Sequence, residues 1–130
     1  MYEKKFMEPD AYFLDSYALI EIIRGNPQYQ KFLHSSVITT QLNLFEVAYA
    51  LLREGIPDVY PIISRYASCI VGFQTDLIVA AASFRLCYKK KNLSMVDCIG
   101  YCLAKNFHIP FVTGDMQFRD MENVHFLPKS

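Results

Sequence analysis

Four acidic residues, Asp15, Glu46, Asp97 and Asp115, are the side chains of this sequence best suited to chemistry. Asp15 directly follows one short apolar run, Asp115 lies in the turn after another, and Glu46 and Asp97 lie in the first turns of predicted helices. Carboxylates that converge repel one another unless a cation neutralises them, and sites made only of oxygen ligands suit Mg²⁺ or Mn²⁺. Such an ion activates water for attack on a phosphodiester, so these residues predict metal-dependent hydrolysis.

Each of the four acids also has a purely structural interpretation, because carboxylates are common at helix N-termini and in turns. Asp15 precedes a predicted helix, and Asp115 follows a glycine in a predicted turn. The alternatives are an N-cap at Asp15, cap-plus-N3 spacing from Asn43 to Glu46, a capping box from Ser94 to Asp97, and turn chemistry at Gly114-Asp115. Only convergence of the four side chains would distinguish a site from four separate caps.

The elements that must position these acids alternate between strand and helix along the whole chain. Several predicted strands are short apolar runs without polar alternation, which is typical of a parallel sheet covered on both faces. The carboxyl ends of such strands form the edge where α/β proteins bind ligands, and Asp15 and Asp115 fall there. The predicted strands are 11–14, 37–39, 70–73, 110–113 and 124–127. The predicted helices are 16–24, 27–34, 41–54, 57–68, 75–91 and 94–105, with a short helical turn at 116–120.

The composition indicates one globular domain. Of 130 residues, 52% are hydrophobic and 20% are charged, which excludes a disordered chain. No run approaches the roughly 18 apolar residues of a membrane-spanning helix, and the first ten residues do not resemble a signal peptide. We therefore expect a leader at 1–10, a domain at 11–130 and a cytoplasmic location. The 13 basic and 13 acidic residues balance, so attraction of nucleic acid must depend on local charge and on the metal.

The four cysteines do not predict a zinc site. Cys98 and Cys102 share a helix face, but a tetrahedral site needs two further ligands, and the three histidines show no matching spacing. We expect thiols that pack as small apolar side chains.

The residues around the four acids form a set of motifs in a fixed order. The motifs are an apolar strand ending in Asp-Ser at 13–16, a helix carrying Glu at 43–46, a third acid at 93–97, and T-x-D-x-x-F at 113–118. Together they span most of the chain, from about Tyr12 to Leu127. In this respect the sequence resembles the PIN domain family, and especially the VapC group of toxin ribonucleases.

The resemblance implies a three-layer α/β/α sandwich with a central parallel sheet. It also implies Mg²⁺ or Mn²⁺ at the four acids, with Ser16 and Thr113 as supporting hydroxyls, and an endoribonuclease that uses a metal-activated water. It further suggests the toxin of a type II toxin–antitoxin pair, whose small antitoxin inserts an Arg into the acidic site and docks on the helices that bear Tyr17, Tyr49 and Leu52. Two features depart from the family pattern, namely the leader and the residues Cys98 and Gly100 after the third acid.

Other functions remain open on the sequence alone. A housekeeping RNA-processing nuclease would keep the same acids, and a non-catalytic PIN-like scaffold would keep the fold. A dehalogenase-type phosphatase is disfavoured because Tyr17 occupies the position of its second Asp. The lysines at 89–91 either hold RNA phosphates or complement a helix C-terminus. Abundant aromatic residues, notably Tyr49, Tyr60, Tyr66 and Tyr88, predict a homodimer.

Overall fold

A four-stranded parallel sheet forms the centre of the computed structural model, which describes residues 9–128. The strands have the spatial order β2-β1-β3-β4, so the first and third strands lie in the middle. All three pairings are parallel, with Phe13 beside Ile38 on one side and beside Phe111 on the other. The strands are β1 (Ala11–Leu14), β2 (Ser36–Ile38), β3 (Phe111–Thr113) and β4 (Val124–Phe126).

Helices cover both faces of this sheet. They are α1 (Ser16–Ile23), α2 (Gln41–Arg53), α3 (Tyr60–Ser64), α4 (Thr75–Cys87) and α5 (Met95–Asn106), with 3₁₀ helices at Pro27–His34, Ala67–Cys69 and Met116–Phe118. Successive strand residues face opposite sides. Tyr12 and Leu14 therefore pack into a core with α1 and α2, whereas Phe13 packs into a second core with α4 and α5. The predicted α/β class and three-layer architecture are confirmed.

Two predicted elements differ from the structure. The run 70–73 was expected to be a strand, but it contributes only a single parallel bridge between Ile70 and Thr39, after which the chain leaves the sheet edge toward α4. The helix expected at 57–68 is divided: α3 begins only at Tyr60, with Pro61 in its first turn, and ends at Ser64, and a 3₁₀ helix follows at Ala67–Cys69. Both differences lie far along the chain from the four acids.

The expected leader at 1–10 falls mostly outside the described residues, of which only Pro9 and Asp10 precede β1. Within residues 9–128, no helix has the length and apolar character needed to cross a membrane.

Candidate active site

Asp15 stands between the end of β1 and the start of α1 and is 4% exposed. It is the N-cap of α1, since the Ala18 backbone N–H donates to its Oδ1 at 2.7 Å. Burial raises the pKa of the Asp15 carboxyl to about 8, although hydrogen bonds from Thr113 and from Ala18 oppose this rise. The charges of Asp97 and Asp115 raise the pKa further. A buried carboxylate with two acidic neighbours therefore lies at the carboxyl edge of the sheet.

Glu46 is held by a chain of polar groups in the first two turns of α2. The Ser16 hydroxyl donates to Glu46 Oε1 at 2.5 Å, and the Asn43 amide donates to Ser16 Oγ at 3.0 Å. Thr40 Oγ1 in turn donates to Asn43 Oδ1 at 2.6 Å. Ser16 thus links the acid of α2 to the N-terminus of α1.

The suggested capping role of Asn43 is wrong. The N-cap of α2 is Thr40, whose hydroxyl accepts the Asn43 backbone N–H at 3.2 Å. Asn43 instead lies inside the helix, is 1% exposed, and directs its amide toward Ser16. Its position three residues before Glu46, on the same helix face, was the signal in the sequence that would have identified it.

Asp97 forms the predicted capping box of α5. The Ser94 hydroxyl accepts the Asp97 backbone N–H at 3.0 Å, and Asp97 Oδ2 accepts the Ser94 backbone N–H at 2.9 Å. Burial raises the pKa of the Asp97 carboxyl, the Ser94 hydrogen bonds oppose this, and the charges of Asp115 and Glu46 raise it further. One residue therefore caps the helix and takes part in the acidic cluster.

Asp115 follows β3 and caps the 3₁₀ helix that begins at Met116. Its Oδ1 accepts the Gln117 backbone N–H at 3.0 Å, and its own backbone N–H donates to Thr113 Oγ1 at 3.0 Å. Thr113 is fully buried and contributes to the pKa of Asp15 as well. This hydroxyl therefore supports two of the four acids.

The structure brings the four acids into one electrostatic environment, which we call the acidic cluster (Asp15, Glu46, Asp97 and Asp115). Asp15 interacts with Asp97 and Asp115, while Asp97 interacts with Asp115 and Glu46. Among the described residues, none of the groups that shift the pKa of Asp15 or Asp97 is cationic. The capping interpretation of the three aspartates is correct, yet it does not exclude a site, because the capped carboxylates still raise one another's pKa.

The donor set of the acidic cluster fits a hard divalent cation better than zinc, because it consists of oxygen atoms alone. Within residues 9–128, no three His, Cys, Asp or Glu side chains approach closely enough in this arrangement to hold a metal ion. Part of the reason is visible in the hydrogen bonds, since Asp15, Asp97 and Asp115 each direct one oxygen at a backbone N–H. Modest side-chain rotation would be needed for these acids to share an ion.

A second residue that the sequence did not identify is Gln117. Its Oε1 accepts the Asn92 backbone N–H and its Nε2 donates to the Asn92 carbonyl at 2.8 Å. The Lys91 ammonium also donates to the Gln117 carbonyl at 2.8 Å. Gln117 therefore joins the turn after Asp115 to the loop that leads into the capping box of α5. No signal in the sequence indicates this pairing, which depends on two loops meeting.

Tyr17 and Gly114 form a close contact beside the cluster. A Cβ atom at Gly114 would lie 2.2 Å from Tyr17 Cε1 and 2.7 Å from the Leu127 carbonyl, so only glycine fits this position. The pKa of the Tyr17 hydroxyl is raised by burial and by the charges of Glu21, Asp15 and Asp115. The aromatic ring expected beside Asp15 thus packs on the backbone next to Asp115.

The small residues after the third acid serve helix packing. A Cβ atom at Gly100 would lie 2.9 Å from the Phe13 ring and 3.2 Å from Phe111, so glycine lets α5 approach the sheet closely. Cys98 is buried in the same core, Cys102 is half-buried, and both are free thiols. Their positions agree with the expected apolar packing, but the expectation is wrong for Cys87, which is exposed.

Comparisons with known proteins identify the fold. The family model described as the PIN domain matches residues 12–124. A toxin–antitoxin complex from Klebsiella pneumoniae superposes with a TM-score of 0.71 at 17% identity, over 88% of this chain and 95% of that chain. The sarcin–ricin-loop-cleaving toxin VapC20 of Mycobacterium tuberculosis superposes with a TM-score of 0.71 at 17% identity, over 90% of this chain and 99% of that chain. A protein from Pyrobaculum aerophilum superposes with a TM-score of 0.65 at 16% identity, over 89% of this chain and 91% of that chain. No match was found among curated proteins.

Proposed function

Because the chain belongs to the PIN domain family, we propose that it is a metal-dependent ribonuclease that hydrolyses RNA phosphodiesters at the acidic cluster. The observation that carries this function is the buried Asp15 carboxyl, whose pKa is shifted by two acidic neighbours and, within residues 9–128, by no cation. A site of this kind costs stability unless a cation binds, and oxygen donors select Mg²⁺ or Mn²⁺. A bound ion would supply Lewis acidity toward the phosphodiester.

The residues around the four acids orient their carboxyl groups. Ser16 directs Glu46 through a 2.5 Å hydrogen bond, and the Ser94 backbone holds one oxygen of Asp97. Thr113 supports Asp15 and fixes the backbone at Asp115. Glu46, Asp97 and Asp115 each accept a hydrogen bond at one oxygen, which leaves the other to bind the metal or substrate, whereas Asp15 accepts hydrogen bonds from both Ala18 and Thr113.

Cleavage of labelled RNA tests this function directly. Wild type should cleave with Mn²⁺ or Mg²⁺ and lose activity in EDTA. Asp15→Asn and Asp97→Asn should lose more than the roughly 10–100-fold typical of groups that only support a ligand, while circular dichroism shows an intact fold. The matched control is Asp120→Asn, which removes an exposed carboxylate. Full activity in EDTA would contradict the metal mechanism, and absence of cleavage with either metal would favour a non-catalytic scaffold.

We further propose that the protein is the toxin of a toxin–antitoxin pair. Two of its structural neighbours are a toxin–antitoxin complex and a toxin. The helix that carries Glu46 presents exposed Phe45, Tyr49 and Leu52 at spacings of four and three residues, which places them on one face. An amphipathic segment of an antitoxin would find apolar anchors there. An Arg from that segment would find bidentate carboxylate partners in the acidic cluster.

Expression in a bacterial host separates the toxin from a housekeeping nuclease. Wild type should arrest growth, whereas Asp15→Asn should be harmless at equal abundance. Harmless expression of wild-type protein that cleaves RNA in vitro would favour the housekeeping function.

We also propose that the protein forms a homodimer. Tyr49, Tyr60 and Tyr88 are exposed as the prediction requires, but Tyr66 is half-buried against the core beneath α1 and α2. Light scattering at micromolar concentration should give twice the 15.0 kDa chain mass, and a monomer would remove this proposal.

A further inference from the structure

A cavity of about 620 Å³ lies between α4 and α5, outside the acidic cluster. Its lining is mostly aliphatic, with buried Ile99 of α5 at the floor and exposed Ala82 and Leu86 of α4 at the side. Its margin carries three cationic side chains, Arg85, Lys89 and Lys91. Among the described residues, no Asp or Glu lines it. The volume falls within the roughly 300–1,000 Å³ of sites that bind small organic groups.

The lining of this cavity is positively charged, whereas the chain as a whole has no net charge. The protein as a whole has equal numbers of basic and acidic residues, so long-range attraction of RNA is absent. An RNA strand approaching four carboxylates needs cationic groups nearby to hold its phosphates. The margin of the cavity supplies three such groups without a compensating acid. Lys90, which lies between two of them in the sequence, does not line the cavity.

The cavity is connected to the acidic cluster through direct contacts. Lys91 and Asn92 line the cavity, and both bond to Gln117. The Gln117 backbone N–H donates to Asp115. A single residue, Gln117, therefore separates the cavity lining from Asp115 of the acidic cluster.

We propose that this cavity binds one unpaired nucleotide of the RNA substrate, with its phosphate at Lys89 and Arg85 and its base on the aliphatic lining. Bases taken out of a stack are held between aromatic or apolar side chains, and this lining offers the latter. The inference rests on the proposed function, because it extends the ribonuclease site by one substrate-binding position. It predicts that the enzyme acts on single-stranded or looped RNA, since a paired base cannot enter.

Binding in EDTA tests the proposal separately from cleavage. The probe is a fluorescein-labelled unstructured RNA, and its affinity for the full chain is measured by anisotropy at several salt concentrations. Lys89→Gln should weaken binding several-fold and reduce the slope of log affinity against log salt by about 0.7, the value for one lost phosphate contact on a single strand. Lys90→Gln is the matched control, since it removes the same charge outside the cavity, and it should leave the slope unchanged.

A second variant tests the aliphatic lining. Ala82→Trp places a large side chain on an exposed residue of the cavity lining, so it should weaken binding of the same RNA without changing the salt slope. Equal effects of the two lysine substitutions, or no effect of Ala82→Trp, would overturn the proposal. A cavity that instead receives an acidic protein segment or a second copy of this chain would leave RNA affinity unchanged in all three variants. If these variants alter binding but wild type cleaves no RNA with Mn²⁺, the ribonuclease function fails while the nucleotide site stands.

Discussion

Replacing Asp15 by Asn should stabilise the metal-free protein at neutral and alkaline pH. The substitution keeps the cap of α1, because Asn accepts a backbone hydrogen bond as well as Asp does at an N-cap. It removes a group whose ionisation is disfavoured by burial and then by the charges of Asp97 and Asp115. The variant therefore separates the electrostatic cost of the site from its contribution to the helix.

The pKa gives the size and direction of the effect. The Asp15 pKa is 3.8 ordinarily and about 8 in the folded protein, so the folded state retains a proton that the unfolded state has lost. Its contribution to stability is complete below pH 3.8 and is lost as the pH rises toward 8. Each pKa unit corresponds to about 1.4 kcal/mol, so wild type should lose about 3 to 4 kcal/mol relative to Asp15→Asn between pH 5 and pH 8.

Equilibrium urea unfolding in EDTA measures this difference at pH 5, 6, 7 and 8, with Asp120→Asn as a control that should follow wild type. Adding Mn²⁺ at pH 8 should stabilise wild type more than Asp15→Asn, because a ligand that binds only the folded state raises its stability. If Asp15→Asn is destabilised by the same amount at every pH, then Asp15 acts only as a cap and the reasoning about the cost of its ionisation is refuted.

Three further substitutions address the groups that position the acids. Ser16→Ala removes the hydrogen bond to Glu46 and should lower RNA cleavage by roughly 10–100-fold with little change in stability. Gln117→Leu removes both side-chain hydrogen bonds to Asn92 and should raise the Mn²⁺ concentration needed for half-maximal cleavage. Gly114→Ala places a methyl group against a tyrosine ring and a backbone carbonyl, and should lower the free energy of unfolding by about 1–3 kcal/mol.

Matched controls exist for each of these variants. Ser68→Ala and Gln28→Leu alter exposed residues of the same types. Gly72→Ala adds a methyl group where no atom lies within 4 Å, and it should be neutral or slightly stabilising. Equal losses in a variant and its control would show that the effect is not specific to the acidic cluster.

The sequence predicted the centre of the fold because the strands that carry the acids are buried apolar runs. Tyr12, Phe13 and Leu14 are all buried, as are Phe111 and Val112, and such runs have few alternatives to a central parallel strand. The positions of Asp15 and Asp115 follow from this, since Asp15 comes directly after β1 and Asp115 lies in the turn that follows β3. Chain order alone therefore predicted the edge of the sheet where the acids lie.

The sequence does not predict the outcome where two residues or two conformations suit the same position equally well. Thr40 and Asn43 are both good N-caps, and only the packing of α2 selects Thr40 and leaves Asn43 to hold Ser16. The apolar run that begins at Ile70 resembles a strand, but it lies at the sheet edge beside a single partner residue and contains a glycine. The bond between Gln117 and Asn92 joins residues 25 apart along the chain, and no local pattern encodes it.

The helix N-termini themselves do not offset the cost of ionising Asp15, which comes first from burial and then from the charges of Asp97 and Asp115. A helix dipole stabilises a nearby carboxylate by about 0.3–1 kcal/mol, and by about 2 kcal/mol when the geometry is partly buried. The rise of the Asp15 pKa from 3.8 to about 8 corresponds to about 6 kcal/mol, and it persists with hydrogen bonds from Ala18 and Thr113 in place. Caps therefore offset only a minor part of the cost, and a protein that needed caps alone would be more stable with Asn at this position. An ionisable group that costs this much stability is typical of a functional site. A divalent cation is the partner whose positive charge would compensate the carboxylates of the acidic cluster.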